Sequence, residues 1–136
     1  MKPMRYFATA CFLILATFPF ISGTQAADIE NGKIVFKRCA ACHNADSSDN
    51  KIGPTLQHII GRRAGTIEGY KYSPAMTNAG KDGLIWNRDT LITYLHNPQG
   101  MVKGTRMASI RLNNDNDIDD LIAYLNSFSS SSGNEH

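Results

Sequence analysis

The sequence predicts an all-α domain: three main helices joined by long loops, wrapped around mass that the chain itself does not supply. Three observations carry this reading. Apolar residues recur at helical spacing in three stretches, 28–39, 87–98 and 116–128. No stretch reads as a strand. Residues 44–85 are rich in Gly, Pro, Asn and Ser and hold neither a period of two nor one of 3.6. About forty residues without long elements are unusual inside a compact domain, so this stretch needs something to enclose.

Residues 1–26 read as a cleaved signal peptide. Lys2 and Arg5 make a basic start, 6–21 is an apolar run, and the small, polar SGTQAAD follows. Thr24 and Ala26 lie three and one residues before a cut between Ala26 and Ala27. The alternative is an uncleaved anchor, but sixteen apolar-leaning residues broken by Pro19 fall short of the 20 or so that a spanning helix needs. Cys11 lies within the run and leaves with the peptide. The expected domain is then 27–128, with a low-complexity, disordered tail at 129–136, SSSSGNEH. Of 14 basic and 12 acidic residues, the peptide removes two basic ones, which leaves a near-neutral chain. A strongly basic nucleic-acid binder is therefore not indicated. Export places the protein in the periplasm.

The first helix, DIENGKIVFKRC, opens with Asp28 and Glu30, where the helix dipole favours negative charge, and closes with Lys37 and Arg38. Ile29, Gly32, Val35 and Phe36 fall on one face. Glycine in a helix costs up to about 1 kcal/mol against alanine, so Gly32 points to a close helix crossing. The second helix, 87–98, sets Leu91, Tyr94 and Leu95 in phase and closes on Pro98. The third, 116–128, carries the clearest stripe: Ile118, Leu121, Ile122, Leu125 and Phe128. This is a thin core for such a domain, and a bound cofactor would complete it.

Cys39, Cys42 and His43 identify the cofactor. A disulfide between thiols two residues apart closes a very short loop and stabilises weakly. A structural zinc site needs two further ligands, and His58, His96 and His136 are not paired at ligand spacing. A thioredoxin-like redox pair wants a strand–helix context that is missing here. C-x-x-C-H is a haem-attachment pattern. Two thiols add to the two vinyl groups on one edge of haem as thioethers, and the next histidine is held under the ring to bind iron. Met76, Met101, Met107, His58 and His96 are all candidates for the sixth ligand. Methionine opposite histidine raises the reduction potential and suits electron transfer. Spacing does not choose between Met107 and Met101, which share a loop beyond the second helix.

The segments CAACH, GPTL, GRRAGT, GYKYS, GLIW, DTLITYLHNP, KGTRM and DLIAYLNSF follow one another in the order seen in class I cytochromes c. The resemblance covers 28–128 and implies the cytochrome c fold, with three main helices and long loops around one covalently bound haem. It implies thioethers at Cys39 and Cys42, His43 as proximal ligand, and Met107 as the ligand opposite. The Pro54 carbonyl would accept a hydrogen bond from the other His43 nitrogen, fixing the ring. Arg62, Tyr72 and Trp86 would contact a haem propionate with Thr105 nearby, and Tyr94 would lie close to the Met107 sulfur. Gly32 would sit where the first and last helices cross. The chain departs from the family's usual Pro-Gly-Thr-Lys-Met: Lys103 precedes Gly104 and Arg106 precedes Met107. Ser109 replaces a common bulky aromatic. Both changes predict a looser loop and weaker iron–sulfur ligation than in a typical member. SPAMTNAG is longer than in the shortest members, and Met76 within it is expected to be packing.

The resemblance implies a monomeric one-electron carrier rather than an enzyme, serving respiratory or other redox partners outside the cytoplasmic membrane. Lys37, Arg38, Lys103 and Arg106 are expected to gather at the exposed haem edge. There they would steer the protein toward acidic patches on partners such as a membrane quinol–cytochrome c reductase and a terminal oxidase. The alternative is a haem protein with a labile sixth ligand that binds peroxide or a small gas, for which Lys103 and Ser109 give some footing.

Overall fold

The computed structural model describes residues 1–3, 25–107 and 110–129. The apolar run of the expected signal peptide, Ser109 and nearly all of the expected tail lie outside these residues. Five helices form among the described residues: α1 (Ile29–Phe36), α2 (Pro74–Lys81), α3 (Arg88–His96), α4 (Pro98–Met101) and α5 (Asp115–Ser127). No helix among them is long and apolar enough to cross a membrane. The only strand-like pairing among them is one antiparallel bridge between Arg63 and Ile85.

α1, α3 and α5 are the three expected helices. The Asp28 side chain caps α1 by accepting from the Glu30 and Asn31 backbone N–H groups, which satisfies two donors that a helix start leaves free. α3 begins with a reciprocal capping box between Asn87 and Thr90. Asn114 caps α5, and Asp115 and Asp117 sit in its first turn, where the dipole favours them. α1 and α5 pack across each other at Gly32, where an added methyl would run into the Asp120 carbonyl. Asp120 closes the crossing from its side: its carboxylate accepts from Asp28 N (2.7 Å) and Asn31 Nδ2 (2.7 Å). Phe36, Tyr124 and Phe128 stack in sequence behind it, with centroids 5.5 and 5.1 Å apart.

Three expectations need correcting. Ile29 does not join the buried face of α1: it is 46 % exposed, while Gly32, Val35 and Phe36 are buried. The crossing is at Gly32, and Ile29 stands a turn earlier at the free end of the helix. The first helix also stops at Phe36; beyond it the chain tightens into three-residue turns through Cys39 N to Phe36 O and Cys42 N to Cys39 O. Finally, the irregular stretches hold two short helices. α2 starts with Ser73 accepting from Met76 N and with Pro74 in the first turn. α4 is a single turn capped by Asn97.

Candidate functional site

Each loop enters the site through a specific backbone tie. The turn after α1 sets Cys39, Cys42 and His43 along one wall, with His43 N bonded to Cys39 O at 2.9 Å. Lys51 reaches back to the Ala40 carbonyl (Nζ–O 2.5 Å) and fastens this turn to the next loop. Gly53 lies against the face of the His43 imidazole, close enough that a Cβ would sit 2.7 Å from Nδ1 and 2.8 Å from Nε2. The next residue, Pro54, offers its carbonyl to His43 Nδ1 at 2.7 Å. That contact places the proton on Nδ1 and leaves the Nε2 lone pair free, as a metal-binding imidazole requires. Burial holds the imidazole below its ordinary pKa, partly opposed by the Pro54 bond and assisted by the Arg62 and Lys51 charges. The ring is therefore neutral at pH 7. Cys39 and Cys42 are not joined in a disulfide, and burial raises the Cys39 thiol above its usual value despite Arg38.

The Arg63–Ile85 bridge carries the opposite wall. Trp86 N donates to Arg62 O (2.9 Å) and Gly61 N to Trp86 O (2.7 Å), so two residues far apart in sequence become neighbours. The half-buried Arg62 guanidinium donates to the carbonyls of Thr55 (2.8 Å) and Gln57 (3.1 Å). No carboxylate lies within salt-bridge distance of it among the described residues. Burial pushes its pKa down, with Tyr72 pulling it back up. A half-buried cation with donors to spare and no counter-charge suits an anionic group in the cavity. The Tyr72 hydroxyl accepts from Ile67 N (3.3 Å), and Tyr72 stacks edge-on with Tyr70 at 4.8 Å.

On the far side, Tyr94 from α3 meets Trp86 edge-on at 5.0 Å, and its hydroxyl bonds Thr105 Oγ1 at 2.7 Å. Met107 N donates to the same Oγ1 at 3.4 Å. Arg106 Nη1 donates to the Lys71 carbonyl at 2.8 Å, tying this loop to the chain before α2.

These walls enclose one cavity of about 460 Å3, within the range of cofactor pockets. Cys39, Cys42, His43, Pro54, Arg62, Tyr72, Trp86, Tyr94, Thr105 and Met107 all line it. Apolar residues of α3 and α5, among them Leu91, Leu95, Leu121 and Leu125, make its floor. The donor set fits haem: two thiols and a neutral imidazole on one wall, the thioethers of Met76 and Met107 elsewhere on the lining, and a half-buried cation without a counter-charge.

Of the five sixth-ligand candidates, His58 and Met101 do not reach the cavity, and His96 Nε2 faces Asp115 Oδ1 at 2.8 Å. Met107 and Met76 do reach it. Met76 is buried, as expected of packing, yet its packing surface is the cavity wall itself. Sequence reasoning missed Gly53, Lys51 and Tyr70, whose hydroxyl holds the Ile52 carbonyl at 2.7 Å. Gly53 and Tyr70 stand within the GPTL and GYKYS segments but were given no role there, and Lys51 left no signal.

The model of the cytochrome c family matches residues 29–129. The chain belongs to the cytochrome c family. It is 40 % identical over 102 residues to cytochrome c2 of Rhodoplanes tepidamans, covering 74 % of this chain and 92 % of that protein. It is 44 % identical over 105 residues to cytochrome c of Stellaria longipes, covering 76 % and 94 %. Among solved structures, cytochrome c2 from Rhodospirillum centenum superposes with a TM-score of 0.69 at 33 % identity, over 75 % of this chain and 98 % of that one. As a member of the cytochrome c family, the chain has the all-α cytochrome c fold, carries covalently attached haem c and transfers electrons rather than catalysing a reaction.

Proposed function

We propose that the chain is a periplasmic one-electron shuttle whose single haem c is held by Cys39 and Cys42 and ligated by His43 Nε2 and Met107 Sδ. The observation that carries this reading is the shared cavity, with both thiols, an oriented neutral imidazole and the thioether on its walls. When bound, the haem supplies the ferric/ferrous couple, and the chain supplies ligation, burial and charge. Pro54 keeps His43 in one tautomer. Tyr94 and Thr105 fix the loop that ends at Met107. Arg62 balances a propionate at the rim. The residues 1–26 leader, cut after Ala26, accounts for export.

Absorption spectra of the oxidised and reduced holoprotein test the reading. A c-type spectrum with the weak far-red iron–sulfur band is expected. A c-type spectrum without that band would remove Met107 as ligand and favour a labile sixth site that takes peroxide or a gas. A colourless product from a host proven to attach haem would overturn the haem assignment.

Two further outcomes follow. Arg62→Ala removes a positive charge beside the haem, which favours the oxidised state. The reduction potential should fall by about 50 mV, close to tenfold in the electron-transfer equilibrium, as measured by redox titration. The docking surface follows from the cavity mouth. Arg38 and Arg106 line it, as do Ala41 and Ile52, the latter 78 % exposed. Lys37 and Lys103 are exposed but do not line it. This local basic surface suits acidic redox partners. Arg106→Glu should slow reduction of a membrane oxidase several-fold at low salt and converge on the wild-type rate at high salt. Equal rates at low salt would count against it.

A further inference from the structure

We infer that the Gln99 side chain positions Met107 by clamping the ligand loop from both sides of its turn. The turn itself runs from Val102 to Thr105, closed by Thr105 N to Val102 O at 2.9 Å. Gly104 sits at its third position with φ +95, the signature of a type II turn. Lys103 occupies the second position, where proline would preset the backbone. Lysine presets nothing there, so the turn needs support from elsewhere.

Gln99, half-buried on the one-turn helix α4, supplies it. Its Oε1 accepts from Gly104 N at 3.0 Å, and its Nε2 donates to Thr105 O at 2.6 Å. Only one amide orientation satisfies both bonds, since one backbone partner is a donor and the other an acceptor. Together the two bonds hold the peptide groups that flank the Gly104–Thr105 link. Thr105 is then held at three points: its N–H by Val102, its carbonyl by Gln99 and its hydroxyl by Tyr94. Met107, two residues on, takes its direction from that anchored residue. α4 has no apolar stripe of its own, and this clamp gives its position in the chain a purpose.

The inference rests on Met107 as an iron ligand, and the test separates the two. Holoprotein carrying Gln99→Ala or Gln99→Glu is compared with wild type by hydrogen exchange of the Gly104 amide and by the rate at which cyanide displaces the sixth ligand of the ferric iron. Loss of one net hydrogen bond is worth about tenfold. In Gln99→Ala, exchange and cyanide entry should therefore both rise about tenfold. Gln99→Glu keeps the acceptor and loses the donor, so Gly104 should stay protected while cyanide still enters faster. This second variant also preserves the bulk of the side chain should alanine unsettle α4. Wild-type cyanide rates in both variants, with the far-red band present, would overturn the clamp alone. Absence of that band in wild type would overturn Met107 ligation and the positioning role with it.

Discussion

Gly53→Ala should leave the haem covalently attached and yet abolish normal ligation. The added Cβ would lie under 3 Å from three atoms of the His43 ring, a separation that carbon atoms do not sustain. Neither side can retreat. The ring is tied by Nδ1 to the Pro54 carbonyl, one residue from the offending methyl. The glycine backbone is tied through Gly53 N to Cys42 O (2.7 Å) and Lys51 N to Gly53 O (2.9 Å). Relief therefore breaks either the tautomer-fixing bond or the loop that frames the histidine. Overpacking of this kind costs about 3 kcal/mol, and here the cost would fall on the proposed iron–histidine geometry. The proposed thioethers at Cys39 and Cys42 would not depend on that geometry. The expected result is a coloured protein with an altered Soret spectrum and a melting temperature lowered by 10 °C or so. Gly69→Ala is the control. It places a side chain at φ +74 with open space around it, so it should cost about 1 kcal/mol of backbone strain and leave the spectrum alone. An unchanged Gly53→Ala spectrum would mean that His43 does not use this cradle.

The contrast between these glycines shows what the sequence could and could not reveal. The Cys39–Cys42–His43 run is legible because its chemistry is local: five residues contain both thiols and the imidazole. The stripes of α3 and α5 are legible because burying one face imposes a period on the chain. Gly53 stands in the GPTL segment, but nothing there tells its role, since its reason is a ring brought against it by the fold. α2 escaped because PAMTNAGK buries only Met76 and Gly80, too little apolar surface for a period; its start signals, Ser73 and Pro74, were present but also fit a turn. Gln99 is legible only as a polar residue, because its two partners are backbone groups that any sequence offers. The pairing of Arg62 with Trp86 depends on a bridge across some twenty residues, and spacing alone could not have found it. Ile29 went the other way: periodicity put it inside, and the end of the crossing left it in water. The two thiols and the imidazole were thus readable from local chemistry; Pro54, Arg62, Tyr72, Trp86, Tyr94, Thr105 and Met107 took their site roles only from the family resemblance, and the groups that hold them in place were not readable at all.

Gly32→Ala is the sharper test of the fold, because two principles predict opposite signs. In an isolated helix alanine is better than glycine by about 1 kcal/mol, so propensity alone predicts a more stable protein. Packing predicts the reverse. The new methyl would be driven into the Asp120 carbonyl, 2.6 Å from its carbon and 2.8 Å from Tyr124 Cβ. Moving α5 away would stretch the bonds from Asp28 N and Asn31 Nδ2 to the Asp120 carboxylate and part Phe36 from Tyr124. Overpacking costs 1 to about 3 kcal/mol, and the lost hydrogen bonds add about 1 kcal/mol each; both exceed the propensity gain. α1 has only eight residues, too few to hold its shape without that contact. We therefore expect Gly32→Ala to lower the stability of the holoprotein by about 3 kcal/mol in guanidinium titrations, with an unchanged far-red band well below the midpoint. Equal or greater stability would show that α1 and α5 do not meet at this residue. The effect should also reach the haem first on the thiol side, since α1 runs through one tight turn into Cys39. Hydrogen exchange should then rise in Cys39 to His43 before it rises at Thr105, which hangs from α3 and α4 instead.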